Sequence, residues 1–288
     1  MAIEQYNVAG IFGDNGAWTN TVNWDGAALP VDNDRVLIRN TSFDLTTLTG
    51  QGAIDLERLE FDKTCKHKIG GSGDRLTIDV QSDAVAGDGP GYLIYAGTGT
   101  EAWFTVDTKK FIARHTGFGA NACVVKHRTN DIDEYVVENG YNRLDGGIYV
   151  LVSLTAAGNR SARLVIDAGS TLTTLVQSGG LCECSTLDTL ETCTVSGGEF
   201  QHLAAQAVTT LNLHAEGVFR FDGEATIATV NMYGGYLDLS RTAVPKVITT
   251  FNGHGGTLDL RGAGVPKFTT IWASDSLRVL GLDKFRTF

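Results

Sequence analysis

A four-residue motif, apolar–any–Thr–apolar, recurs along the C-terminal part of this chain and restricts it to a small set of folds. Its copies are Leu172–Leu175, Leu190–Cys193, Val208–Leu211, Ile227–Val230, Ile248–Phe251, Phe268–Ile271 and Phe285–Phe288. The shared Thr174, Thr192, Thr210, Thr229, Thr250, Thr270 and Thr287 are spaced by 18, 18, 19, 21, 20 and 17 residues. A second column, apolar–any–apolar, keeps the same step: Leu164/Ile166, Cys182/Cys184, Phe200/His202, Phe219/Phe221, Leu237/Leu239, Leu258/Leu260 and Leu277/Val279. Two independent columns with one period are the mark of a solenoid.

The residues choose the kind of solenoid. Helical repeats of the tetratricopeptide or ankyrin type need about 33 or 34 residues, and a leucine-rich repeat needs a helix or its equivalent. These units are instead full of Thr, Val, Phe and Gly, which favour strands and turns. Apolar–any–apolar is the period of a strand with one buried face. The pairs Gly179–Gly180, Gly197–Gly198, Gly234–Gly235 and Gly255–Gly256 suit tight corners where φ turns positive. The expected fold is therefore all-β: a single-stranded parallel β-helix (β-solenoid) with rungs of 17–21 residues. The lack of a six-residue subrepeat favours a right-handed coil. The Thr column is expected to be a structural ladder in the core. A flat ice-binding Thr face is the alternative, but it calls for paired Thr ranks, and the partner position here drifts to Glu191, Ala228 and Arg286.

Composition narrows the function classes. With 35 Gly, 4 Pro and 42% apolar residues among 288, the chain reads as ordered β protein. A net charge of −10 speaks against a phosphate-binding surface, so no nucleic acid is expected as a partner. No run of apolar residues is long enough for a membrane helix, and Met1–Gln5 lacks the basic region and apolar core of a Sec signal. Five cysteines, Cys65, Cys123, Cys182, Cys184 and Cys193, are an odd number and do not suggest a disulfide framework. Cys182, Cys184, Cys193 and His202 could be read as a zinc site. Their place in columns otherwise held by Leu, Ile and Phe favours buried packing instead, so no cofactor or metal is expected.

Four regions follow along the chain. Residues 1–38 form an N-terminal capping segment, in which Trp18, Trp24, Pro30 and Asp34 would cover the apolar edge of the first rung and supply contacts. Residues 39–96 hold the first rungs, with Ile54, Leu56, Leu59 and Phe61 as one rung and Leu76–Ile78 and Leu93–Tyr95 following at 17-residue steps. Residues 97–160 keep strand character but lose the period, the pattern of loop insertions on a contact face. Residues 161–288 are regular rungs. The motif runs to Phe288, which leaves the last rung to be covered by a symmetry mate or partner.

Catalysis would need convergent carboxylates. The best cluster is Asp131, Asp133 and Glu134 beside Lys126, His127 and Arg128, the residue types of a glycoside hydrolase, but a mixed-charge run between strands is ordinarily a solvated loop. Asp167, Glu183, Asp238 and Asp259 are spread along strands without a convergent partner.

The segment Trp18-x5-Trp24-Asp25-Gly26-x3-Pro30-x3-Asp34-x-Val36-x-Ile38, followed by β-solenoid rungs, resembles the opening of many tailed-bacteriophage structural proteins. Related openings start the passenger repeats of autotransporter-like adhesins, from which this chain departs in lacking a visible export signal. The resemblance covers about 20 residues for the motif and most of the rest as solenoid. It implies a non-enzymatic virion protein made in the host cytoplasm: a capsid decoration or cement protein on the head surface. It would be homotrimeric and held to the major capsid protein or another virion protein by protein–protein contacts. The alternative is a tail-associated protein that binds or degrades polysaccharide.

Overall fold

A computed structural model describes residues 4–6, 19–39, 44–45, 56–80, 91–99, 101–127, 132–155, 162–186, 188–241, 246–262, 264, 266–281 and 283. Trp18, Ile54, Arg128, Asp131, Thr287 and the last motif copy lie outside them. The fold is all-β, 60% strand and 3% helix, and its parallel stacked strands form a β-solenoid of about 10 turns. The chain divides into two units, Met1–Ile148 and Tyr149–Phe288.

The first unit holds β1 (Glu4–Tyr6), β2 (Arg35–Ile38), β3 (Arg58–Phe61), β4 (Leu76–Val80), β5 (Tyr92–Tyr95), β6 (Trp103–Thr108), β7 (Lys110–Ala113), β8 (Cys123–His127), β9 (Ile132–Val137) and β10 (Tyr141–Leu144). They stack in two parallel series. One runs β1, β2, β3, β5, β7, β9; the other runs β4, β6, β8, β10. The 17-residue steps expected here are therefore not rung steps. Leu59 stacks on Leu93, while Leu76, between them in sequence, stacks on Phe104 in the other series. From β3 onward the strands alternate between the two series, so equal spacing along the chain alternated between two walls of one coil.

Trp24, Pro30 and Asp34 are all buried within this unit, Trp24 to 1% exposure. Asp34 builds the turn before β2: its Oδ2 accepts the Val31 amide at 3.0 Å, and Asn33 adopts φ 65°, a conformation Asn tolerates. These side chains are packed inside the unit, as a capping role requires. The exposed apolar groups of the segment are Val22, Leu29 and Val31.

The core of the unit is aromatic. Phe104 meets Phe61, Tyr95 and Phe111 at ring separations of 5.7, 5.3 and 5.9 Å, and Phe111 stacks on Tyr135 at 5.0 Å. A buried polar network closes beside it. The Gly117 amide donates to His115 Nδ1 at 3.2 Å, which leaves Nε2 as the protonated nitrogen, 3.3 Å from Asn142 Oδ1. Tyr135 donates to the same oxygen, and Asn142 Nδ2 donates to the carbonyl of Asn139.

The second unit continues from β11 (Gly147–Leu154) with β12 (Arg163–Ile166), β13 (Ser170–Cys184), β14 (Leu190–His202), β15 (Val208–Phe221), β16 (Thr226–Met232), β17 (Tyr236–Asp238), β18 (Val247–Gly253), β19 (Gly256–Asp259), β20 (Lys267–Ala273) and β21 (Leu277–Leu280). Its register reproduces the sequence repeat except in the last rung, where Leu258 pairs with Val279 and the expected partner Leu277 lies opposite Gly256. Thr174, Thr192, Thr210, Thr229, Thr250 and Thr270 are successive partners. So are Leu164, Cys182, Phe200, Phe219, Leu237, Leu258 and Val279.

Packing explains the columns. Leu175, Cys193, Leu211, Val230 and Phe251 form one inward stack, and Phe200 lies on Phe219 at 5.1 Å and 21° in another. Truncating Phe219 to Ala removes a fully buried ring from a rigid stack that cannot collapse around the gap. The expected cost is about 3–5 kcal/mol, read as a lowered urea midpoint. The Thr column is not core. It stacks in register but points outward, half-buried along its length and exposed at Thr270. Two consecutive outward residues separate the inward ones in each motif, Thr173 and Thr174 between Leu172 and Leu175, so strict alternation fails at this point. At the corner that follows, Gln177 Nε2 donates to the carbonyls of Gly179, Gly180 and Glu199 at 3.0–3.1 Å.

Candidate functional site

The outward wall of the second unit formed by the Thr-bearing strands carries two further columns, two and four residues past Thr210, Thr229 and Thr250. The first is an amide ladder. Asn252 Nδ2 donates to Asn231 Oδ1 at 2.9 Å, Asn231 Nδ2 to Asn212 Oδ1 at 3.0 Å, and Asn212 Nδ2 to Thr194 Oγ1 at 3.4 Å. Strand register makes this possible, because Asn212, Asn231 and Asn252 are direct partners across neighbouring rungs. The second is a ring ladder. His214 and Tyr233 stack at 5.2 Å and 20°, and Tyr233 and His254 at 5.1 Å and 11°; Trp272, which stands in the first column as the register partner of Asn252, meets His254 at 4.6 Å and 45°. Tyr233 and Trp272 remain 52% and 50% exposed, unusual for ordered aromatic groups of this size.

The other series of strands carries a charge ladder. Arg220 Nε lies 2.6 Å from Glu199 Oε1, and Arg220 Nη1 lies 3.7 Å from Asp238 Oδ2. Arg241 reaches Asp238 and Asp222, each at 3.5 Å. Asp238 and Asp259, partners on adjacent rungs, are both buried. Each makes a turn with its carboxylate: Asp238 Oδ1 accepts the Ser240 amide at 2.9 Å, and Asp259 Oδ1 the Arg261 amide at 3.1 Å. They are thus held by partners, not spread without them. The Arg261 guanidinium, bonded at 3.0 and 2.7 Å, holds the Asp259 carboxyl down to about 2 against the effect of burial, with Tyr236 donating a further hydrogen bond. A carboxyl held ionised in this way is not placed to act as a proton donor at neutral pH.

Remaining sequence candidates fall to scaffold positions. Glu134 pairs with Lys110, and Asp133 with Lys109 at 3.9 Å, joining β9 to β7. His127 is buried, 4.0 Å from Asp107, and Lys126 is exposed on β8. Glu183 binds Arg163 across one rung at 2.6 Å. Cys182, Cys184 and Cys193 are buried, and burial pushes their thiols up, Cys184 to about 11. His202 stacks on Cys184 in register, and both its ring nitrogens are buried without a hydrogen-bond partner. Among the described residues no group of three or more His, Cys, Asp or Glu is placed to hold a metal ion, and no helix is long and apolar enough to cross a membrane.

The fold and this wall define a β-solenoid protein whose outward columns repeat from rung to rung. Comparison with known protein families, curated proteins and solved structures found no match to the chain. Reading the repeat at the second and fourth residue past each Thr would have exposed both ladders from sequence: Asn212, Asn231 and Asn252, then His214, Tyr233 and His254.

Proposed function

We propose that this chain is a non-enzymatic structural protein of a bacteriophage virion, a capsid decoration or cement protein acting through protein–protein contacts as a homotrimer. The observation that carries this reading is the way its ionisable groups are spent. Acids and bases of the second unit pair with each other from rung to rung, and its outward columns repeat instead of converging on one centre. Repetition of this kind suits an extended contact surface. The Trp24–Asp34 opening supports the same reading, with exposed Val22, Leu29 and Val31 beside it as the apolar foot that would meet a shell. An acidic outer surface would keep assembled particles mutually repulsive.

Imaging the source particle with this protein tagged should place the tag on the head, at positions of threefold symmetry. A protein with Val22 and Val31 both changed to Asp should melt like the parent yet leave heads undecorated. A tag at the tail tip, or full decoration by the double variant, overturns the proposal or its contact surface respectively.

A further inference from the structure

We propose that the ring and amide ladders of the second unit form a binding strip for a neutral polysaccharide chain lying along the solenoid axis, with Trp272 and Tyr233 as anchors. This goes beyond the virion role and does not depend on it. The ring ladder is ordered, yet its polar atoms are unspent: among the described residues no side-chain hydrogen bond uses the His214 or His254 imidazole, the Tyr233 hydroxyl or the Trp272 indole N–H. In the amide ladder each Asn Nδ2 spends one hydrogen on its neighbour, and Asn252 Oδ1 ends the series as an acceptor without a partner among the described residues. Half-exposed Tyr233 and Trp272 add rigid apolar area whose conformational cost is already met by stacking.

The chemistry selects the ligand. A sugar chain presents alternating hydroxyl and C–H surface, which matches amide and ring edges side by side. The two ladders contain Thr194, three Asn, two His, Tyr233 and Trp272 but no Asp, Glu, Lys or Arg. A chain of net charge −10 offering no cation on this strip is a poor site for nucleic acid or an acidic polymer. Repetition matters as well, since rungs about 4.8 Å apart offer the same groups several times over to a ligand that also repeats, so weak contacts add within one chain. Ring faces inside the stack are occupied by neighbours. The main apolar platform is therefore Trp272, tilted 45° from His254.

The test is affinity electrophoresis of the full-length protein through gels containing hydroxyethylcellulose, dextran or glucomannan, alongside acrylamide quenching of tryptophan fluorescence. Trp24 and Trp103 are buried at 1% and 7% exposure and Trp272 is 50% exposed, and the difference in quenching between the parent and Trp272→Ser separates its signal from that of Trp18. At least one polymer should retard the protein and shield its fluorescence. Trp272→Ser and Tyr233→Ser should each weaken retention about tenfold, and Asn231→Ala with Asn252→Ala should weaken it further, all with thermal midpoints like the parent's. Retention by none of the polymers overturns the proposal, as does retention that the variants leave intact. If the variants instead change the oligomeric state by light scattering, the strip is a subunit interface and the glycan site is rejected. None of these outcomes bears on where the protein sits in a virion.

Discussion

A Gly256→Ala protein is expected to lose roughly 3 kcal/mol or more of stability, while Gly255→Ala, one residue earlier, should be neutral or slightly stabilising. Gly256 sits at φ 90°, and a Cβ there would lie 2.6 Å from the Gly234 carbonyl carbon and 2.7 Å from the Gly235 oxygen of the adjoining rung. The left-handed conformation alone costs an L-residue about 1–2 kcal/mol. The clash is with backbone, so relief requires two rungs to separate and their ladder to stretch, which carries the effect into the range of strained-backbone substitutions. At Gly255 the nearest atom to an added Cβ is 3.5 Å away, ordinary contact, and Ala there reduces unfolded-chain entropy by about 0.4–1 kcal/mol. Gly198, at φ 75° with the Gly180 oxygen 2.3 Å from the same imagined atom, should behave like Gly256. Urea midpoints of the three variants check this, and equal midpoints for Gly255→Ala and Gly256→Ala would discard the corner account.

Stability should also fall steeply between about pH 6.5 and 4, through two buried histidines. Burial holds His202 and His115 down to about 4 from an ordinary 6.5, with Lys246 adding to the effect at His202 and the Asn142 hydrogen bond opposing it at His115. Above pH 6.5 both are neutral whether the chain is folded or not, and stability is complete. As pH drops below 6.5 the unfolded chain takes up a proton on each that the folded chain refuses until near pH 4. Each histidine therefore removes roughly 3 kcal/mol across that window. His202→Phe isolates one of them. The ring lies among Phe200, Phe219 and Phe221 at 6.4, 6.5 and 5.2 Å, and its nitrogens lack hydrogen-bond partners, so an apolar ring forfeits no bond. The variant should match or exceed the parent at neutral pH and lose about 3 kcal/mol less on acidification to pH 4. Parallel pH profiles for the two proteins would rule out His202 as a source of acid lability.

The two predictions rest on features of unequal legibility. Each Gly–Gly corner was visible in the sequence, and the second member of each pair, Gly180, Gly198, Gly235 and Gly256, takes positive φ, because a turn that brings the next rung into register leaves no room for a Cβ. His202 could be placed in an apolar column from spacing alone. That its nitrogens would go without partners could not be read, since it depends on which atoms the neighbouring rungs bring near the ring.

In the second unit the chain's own period fixes the fold. Rungs of nearly constant length put like residues on like residues, so the Thr register, the apolar stack from Leu164 to Leu258 and the burial of Cys182, Cys184 and Cys193 follow from counting, and only the last rung shifts, by two residues. In the first unit counting misleads. Its rung steps from Arg35 to Arg58, Tyr92, Lys110 and Glu134 are 23, 34, 18 and 24 residues, because hydrogen bonding between rungs constrains strands in space and leaves corner lengths free. Tertiary structure also decided which way the Thr column faces, since consecutive outward residues break the alternation that sequence reasoning relies on. It alone set the partners of Asp259, Arg220 and Glu199, and the stacking of Tyr233 between His214 and His254. Apart from the local Asp259–Arg261 pair, those contacts join residues about one rung apart in sequence, and they form only when register and facing are both settled by the packed coil.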